Sequence, residues 1–381
     1  MKNIFILAAE NSAEKYGALL LEQFKKSKTK YRFFGAGGDK FKDLGVDLIV
    51  HSRELSIVGI IEVIGHLFKL KKYMDLFLKA AGEKRCDAAI LIDYPDFNLR
   101  LAKKFKKLGI PVYYYISPTV WAWRYNRIKT IKKYVDHLFV IFPFEKEIYE
   151  KEDIPFTYTG HPLLGQIKRK ISNNEFKKKY GIKKNEKILT LLPGSRMSEI
   201  SSLFPVMLNA YSNLVEKISL KIFILKADSV EKKVLEKHLS DKNINASIID
   251  QTEGYDLIGS SDAVISTCGT SNLEIAVLGT PFVAVYKVNG LSYILGRGFL
   301  KISNYSIVNI LLNKKVVDEL IQNDFTEENV TASIEELLVN KSRIREMKSE
   351  FKKVKNLLKL ESIPSKIIFD KIETDLMQRF N

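Results

Sequence analysis

The stretch KILTLLPGSRMSEI, residues 187–200, decides how the chain folds. It opens as a buried strand, breaks at Pro193-Gly194, presents Ser195 and Arg196, and passes into a helical pattern. Strand, glycine turn and helix in that order build an anion site. The free N–H groups of a helix N-terminus attract negative charge, and Gly194 lets the backbone approach closely. Arg196 adds a planar fork that matches phosphate oxygens. A nucleoside-triphosphate loop is excluded, because the chain has no G-x-x-x-x-G-K-[ST] here and an arginine stands where that loop places lysine. A plain strand–helix turn with a surface arginine would be spelled the same way, so the neighbouring stretches must arbitrate.

The stretch YDLIGSSDAVISTCGTSNLEIAVLGTPFVAVYK, residues 255–287, does so. A strand ends at Ser266-Thr267, a helix starts at Gly269, Thr270 and Ser271, and it stops at Gly279. This second helix N-terminus carries small and hydroxyl residues suited to a diphosphate. Glu274, one turn inside on the face of Thr270, is placed to accept from ribose hydroxyls. Both loops fall at the carboxyl ends of parallel strands, where open α/β sheets bind ligands. The expectation is a nucleoside diphosphate held by two helix N-termini and Arg196. No D-x-D pair stands in a loop positioned for a metal. Arg196 and helix dipoles would then neutralise a leaving diphosphate, with no metal and no cofactor.

Outward from these loops, β-rich runs alternate with amphipathic segments. Runs at 3–9, 31–38, 87–95, 110–117 and 136–144 make one series; 187–194, 220–227, 244–250, 262–267 and 281–286 make another. Such alternation implies parallel sheets covered by helices. The pattern weakens at YTGHPLLGQIKRKISNNE (158–175), and 381 residues suit two domains. The expected divisions are 1–165, 166–340 and a basic helical tail, 341–381, packing back on the first domain or on a partner. No internal sequence repeat is visible. The fold class is α/β: two Rossmann-like domains facing a cleft with a C-terminal helical tail. This is the GT-B architecture of glycosyltransferases, which many periplasmic-binding-like proteins also share.

A net charge of +16 favours an anionic partner: nucleic acid, anionic lipid or a phosphorylated substrate. No helix-turn-helix, zinc-finger or RNA-recognition signature accompanies it, which sets nucleic acid aside. No apolar run reaches the length of a spanning helix. The apolar Ile4–Ala9 is too short for a secretory leader and reads as a first strand. Cys86 and Cys268 lack ligand-like spacing and suit a reducing compartment. The segment 54–82 is unusually apolar. Val58, Ile60, Ile61, Val63, Ile64, Leu67, Phe68 and Leu70 cover more than one helical face, with Lys69, Lys71 and Lys72 close behind. That is the make-up of a helix resting on an anionic membrane, or of one buried on both sides.

The first domain offers what a glycosyl acceptor needs. Glu10, Asn11, Ser12 and Glu14 follow the first strand; Asp93, Asp96 and Asn98 follow another. A carboxylate here can take a proton from an attacking hydroxyl, although Asp96 also suits the cap of the next helix. Ser117, Trp121 and Trp123 share a loop read either as cleft floor or as packed core. His161 stands at the domain junction, where it can serve a bound sugar or the structure.

In order along the chain, AAENSAEKYGA, IDYPDFNL, the run from YYISPTVWAWRYNRIK to VIFPFEKEIYEK, YTGHPL, LLPGSRMSEI, STCGTSNLEIAVLGTPFVAVYK and SIVNILLNKKVVDELIQ resemble the motifs of the lipid-A-disaccharide synthase family. The resemblance runs from about Ile4 to Gln322. It implies an inverting GT-B glycosyltransferase, cytoplasmic and peripheral to the inner membrane of a Gram-negative cell. UDP-2,3-diacylglucosamine and 2,3-diacylglucosamine 1-phosphate (lipid X) would give a β-1,6-linked disaccharide 1-phosphate and UDP. The alternative is another UDP-N-acetylglucosamine-dependent GT-B enzyme, a muropeptide transferase or a 2-epimerase. By correspondence Asp96 is the base, with Glu10 beside it, and Arg196 serves the diphosphate. Asn11, Ser12, Glu14, Asn98, Ser117, Trp121, His161, Gly194, Ser195, Gly269, Thr270, Ser271, Glu274, Ser306 and Asn309 would contact substrates. The implied partners are the two acylated sugars and the anionic membrane surface, with no nucleic acid; a homodimer is left open. Two motifs depart from the family. G-E-x-S-G-D reads Ala9-Glu10-Asn11-Ser12-Ala13-Glu14, and S-L-P-N reads Ser306-Ile307-Val308-Asn309, without its proline.

Overall fold

The computed structural model describes residues 1–55, 63–287 and 304–380. The chain forms two compact units, 1–162 with 359–381, and 163–358. The first is built on a seven-stranded parallel sheet: β1 (Lys2–Ala8), β2 (Tyr31–Gly37), β3 (Asp47–His51), β4 (Ala88–Ile92), β5 (Val112–Tyr115), β6 (His137–Val140) and β7 (Phe156–Tyr158), in the order β3-β2-β1-β4-β5-β6-β7. The second holds six: β8 (Lys187–Leu192), β9 (Leu220–Leu225), β10 (Ser247–Ile249), β11 (Ala263–Thr267), β12 (Phe282–Tyr286) and β13 (Glu319–Ile321), in the order β10-β9-β8-β11-β12-β13. Each sheet is doubly wound. The strand order reverses between β1 and β4 in one and between β8 and β11 in the other.

Central strands are buried on both faces, so their sequences are continuously apolar. β1 pairs in parallel with β2 and β4, setting Ile4 opposite Phe33 and Ala88. Phe5 of β1 meets the rings of Phe34, Phe77 and Phe105 at 5.6, 5.2 and 4.9 Å. Each such fully buried side chain contributes about 1.5–3 kcal/mol. The strands that the sequence pattern did not reveal are β3, β7 and β13, all edge strands of three to five residues. Paired on one side only and partly exposed, they carry no long apolar run.

The segment 341–381, expected as one tail, divides between the units. The helix Lys341–Leu358 buries Met347, Phe351 and Val354 in the second unit, with Phe351 5.6 Å from Phe282. The helix Pro364–Phe380 lies on the first unit against the helix Asn11–Lys25. There Phe369 meets Phe24 edge-on at 4.9 Å, and Tyr31 Oη donates to Glu373 at 3.1 Å.

Of the apolar segment 54–82, Val58, Ile60 and Ile61 lie outside the described residues, as do the side chains of Val63, Ile64, Leu67 and Phe68. The helix Val63–Glu83 buries Phe77, Ala80 and Ala81, half-buries Leu70 and Met74, and exposes Lys69, Lys71 and Lys72. Among the described residues no helix is long and apolar enough to cross a membrane.

Candidate functional site

Open α/β sheets bind ligands outside the carboxyl ends of the strands, where the strand order reverses. In the second unit the two loops that flank this point are the two singled out by sequence, after β8 and after β11.

After β8 the backbone turns at Gly194 with φ +115°, a conformation L side chains rarely adopt. A Cβ there would also stand 2.5 Å from Glu199 Oε2. Arg196 is the N-cap residue of the helix Met197–Val215. The amides of Ser195 and Arg196 donate to Glu199 Oε2 at 2.9 and 3.2 Å, and Arg196 Nη1 donates to Oε1 at 3.1 Å. The amides expected to face an anion are thus bonded to an internal carboxylate. Sequence reading missed Glu199; the visible signal was its position at N3 of the helix, where a glutamate completes a capping box. Arg196 itself is 66% exposed.

After β11, Gly269 and Thr270 are exposed, and a Cβ on Gly269 would meet open space. Ser271 Oγ lies 3.1 Å from Ser266 Oγ. Asn272, wholly buried, donates to Ser266 Oγ at 3.1 Å and to Thr267 O at 3.0 Å, which fixes the strand end under the loop. Glu274 accepts from Tyr255 Oη at 2.9 Å, a partner that sequence did not suggest. Ser306 starts the short helix Ile307–Leu312 with its hydroxyl buried. Asn309 is also buried. It donates to Val317 O and Glu319 Oε1, both at 2.8 Å, and accepts from the amides of Val316 and Val317, both at 2.9 Å. Glu319 takes the amides of Tyr305 and Ser306 as well, at 3.0 and 2.8 Å. Asn309 and Glu319 thus hold this turn without the family's proline.

In the first unit the reversal lies between β1 and β4. Glu10 follows β1 and is exposed, with Ser12 partly exposed at the start of its helix; of Asn11 the side chain is not described. Glu14 is turned inward, 6% exposed, and accepts from Phe41 N at 3.1 Å. After β4, Asp93 and Tyr94 both adopt positive φ, 52° and 48°. Burial first, then the charge of Glu10, pushes the Asp93 carboxyl up to about 6. Asn98 is wholly buried and donates to Ile92 O and Asp93 O at 3.3 and 2.7 Å, while its Oδ1 has no partner.

Asp96 lies in the first turn of the helix Pro95–Lys107, whose N-cap is Tyr94 with no side-chain cap. Capping is thus not what the carboxylate does. It is 66% exposed, and Oδ1 accepts from Arg124 Nη1 at 2.9 Å and from Arg127 Nη2 at 2.6 Å. Both guanidinium groups stack on Trp123, 4.1 and 5.3 Å from the ring. Among the described residues Oδ2 receives no hydrogen bond, which leaves one oxygen to take a proton.

The loops after β5, β6 and β7 form a buried network behind this site. Ser117 bonds Tyr149 Oη, and Glu145 accepts from the amides of Ile141 and Phe142 at 3.1 and 2.9 Å. Burial raises Glu145 to about 7. Trp121 packs edge-on against Phe144 at 5.1 Å. His161, 3% exposed, meets the rings of Phe142 and Tyr16 at 5.4 and 6.2 Å, and burial lowers it to about 3. It is a neutral, enclosed histidine.

Comparison with known proteins agrees with this fold. Residues 4–372 match the family described as Lipid-A-disaccharide synthetase. The lipid-A-disaccharide synthase of Syntrophus aciditrophicus is 36% identical over 360 residues, 94% of each chain. That of Nitrosococcus oceani is 37% identical over 356 residues, 93% of this chain and 92% of the relative. In fold, the UDP-GlcNAc 2-epimerase of Neisseria meningitidis, solved bound to UDP-GlcNAc, superposes with a TM-score of 0.67 at 13% identity, covering 98% of this chain and 100% of that one. The calicheamicin glycosyltransferase CalG4 superposes at 0.58 and 11%, covering 98% of each. With two Rossmann-like sheets and the family match across nearly its whole length, the chain belongs to the lipid-A-disaccharide synthase family of glycosyltransferases.

Proposed function

We propose that the protein joins UDP-2,3-diacylglucosamine to lipid X, giving the β-1,6-linked tetraacyl disaccharide 1-phosphate and UDP. The observation that carries this is the pair of loops at the β8/β11 reversal, Pro193–Arg196 and Cys268–Thr270, with Glu274 one turn behind. UDP would lie across them, its diphosphate taking the amides now bonded to Glu199 and its ribose on Glu274. In one in-line displacement the acceptor O6 bonds to the donor anomeric carbon as the bond from that carbon to the diphosphate oxygen breaks. The hydroxyl proton passes to Asp96 Oδ2, and the electron pair leaves with UDP. Arg196 and the helix amides stabilise the charge that develops on the leaving group.

Glu10 and the half-buried Asp93 would line the acceptor side. Ser12 would contact the sugar, and Ser117, Trp121 and His161 would shape the floor. Gly194, Ser195, Gly269, Thr270 and Ser271 would serve the diphosphate, with Ser306 beside them. Asn11 completes the acceptor set. Glu14, Asn98 and Asn309, already bonded to backbone groups, would act by holding the loops. Rather than spanning a membrane, the protein would work from the cytoplasmic face of the inner membrane. The apolar helix around 63–83 and its lysines favour transfer between acylated sugars over the soluble 2-epimerase reading.

Incubation of the purified protein with both diacyl substrates is the test. Disaccharide 1-phosphate and UDP are expected in equal amounts; neither product, or loss of UDP-sugar without an acceptor, would overturn the proposal.

A further inference from the structure

Beside Asp96, on the first unit, a groove of about 830 Å³ runs between the helices Val63–Glu83 and Pro95–Lys107. Its wall is apolar, built by Leu70, Met74, Tyr94, Pro95 and Phe97. Its rim is cationic: Arg100, Lys103, Lys104 and Lys107 come from one helix and Lys71 from the other, all exposed. The four on the first helix are spaced i, i+3, i+4, i+7 and so form one stripe, and Asp96 continues it by one turn. Among the described residues none of the five pairs with a carboxylate. The dipole at a helix C-terminus accounts for lysines in the last turn, but not for Arg100 in the middle.

We infer that this groove seats the acceptor lipid, with an acyl chain against the apolar wall and the sugar 1-phosphate on the cationic stripe. The inference rests on the transferase reading above. An apolar wall whose rim carries five cations unpaired among the described residues, with Asp96 at one end as its single carboxylate, suits an amphiphile whose head is a phosphate. The geometry also fixes which way round it lies. At about 1.5 Å rise per residue, Arg100 stands about 6 Å along the helix axis from Asp96, and Lys103 and Lys104 about 10–12 Å. The 6-hydroxyl hangs from C5 and the 1-phosphate from C1, on either side of the ring oxygen and separated by roughly the spacing of Asp96 and Arg100. A ring whose O6 reaches Asp96 therefore directs its phosphate towards Arg100 and Lys104. A flat bilayer contact would need the charges but not the concavity.

The test is steady-state transfer in mixed micelles by the full-length protein, with lipid X and with 2,3-diacylglucosamine lacking the phosphate. Charge-assisted bonds to a phosphate imply that R100A and K104A each raise the KM for lipid X on the order of tenfold. The KM for the UDP-sugar should hold, and R100K should recover part of the loss. The wild-type protein should prefer lipid X to its dephosphorylated form, and the R100A/K104A double variant should lose that preference. A general folding defect would not selectively abolish it. Retention of the preference by the double variant overturns the inference while leaving the transferase reading intact. Reduced sedimentation with phosphatidylglycerol vesicles, with the preference intact, also overturns it and assigns the stripe to the bilayer surface. If the wild-type protein transfers to neither acceptor, the transferase reading fails on its own. Equilibrium binding of lipid X then decides the groove: phosphate-dependent binding lost in the double variant supports it, and equal binding refutes it.

Discussion

Glu199 holds the amides on which the proposed diphosphate depends, so Glu199→Gln is the most telling change in the second unit. The substitution keeps the shape of the side chain and removes its charge. Two amides and one guanidinium N–H meet the carboxylate at 2.9–3.2 Å. A phosphate arriving at those amides comes within about 5 Å of the carboxylate. At an effective dielectric of about 20, one pair of like charges at that distance repels by roughly 3 kcal/mol, less with salt screening. Removing it should tighten UDP binding by about 10- to 100-fold. The same change weakens charge-assisted bonds at the turn and the favourable placement of an acid at a helix N-terminus, lowering stability by about 1–2 kcal/mol. Calorimetric titration with UDP and urea unfolding measure the two effects on the same sample. Stability falling while UDP affinity stays level or drops would refute the reasoning. Glu199 would then orient Arg196 for UDP instead of standing in its place.

Asp96→Asn should cut turnover by at least about 10²-fold, the usual scale for a lost general base. The Arg124 pair it breaks is exposed and worth at most about 1 kcal/mol, but Arg127 is buried, so urea unfolding should show a loss of about 1–3 kcal/mol. A variant that loses stability but keeps turnover would make Asp96 a structural anchor. Arg196→Ala should slow transfer by about 10²- to 10³-fold, the cost of one preorganised donor on developing charge, as read from UDP release. Glu145 titrates at about 7 in the fold against an ordinary 4.5, so its protonated form is the one the fold favours. Its contribution is fully present below about 4.5 and is lost as pH rises through 7, a change of about 3 kcal/mol. Urea unfolding at pH 5 and pH 8 should show that difference shrinking in Glu145→Gln. Asn309→Ala strands the amides of Val316 and Val317 and should cost about 2–3 kcal/mol in thermal unfolding.

The strands of both sheet interiors were legible because a strand buried on both faces must be apolar throughout. The edges β3, β7 and β13 were not, because pairing on one side asks little of their composition. Glycine stops were legible for a local reason: Gly194 and Gly279 adopt φ of +115° and +77°, which side chains with a Cβ resist.

What the amino-acid order determined by itself is the architecture and the loops on which the proposed chemistry rests: two βα series and glycine turns at strand ends, with Asp96, Arg196 and Glu274 just beyond them. Periodicity and turn chemistry act within a few residues, so they can be read without coordinates. Only the tertiary structure decided which polar side chains face solvent and which are consumed. Asp96 stands open with one oxygen held by two arginines, whereas Asn98 and Asn309 spend their amides on the backbone. The partners of Asp96 lie 28 and 31 residues away, and Glu319 reaches Asn309 across 10. It also decided that the basic segment from 341 serves two units, and that two successive helices leave an apolar groove beside Asp96 rimmed by cations unpaired among the described residues. Such pairings depend on where separate elements dock, and side-chain hydrogen bonds across that distance leave no period in the chain.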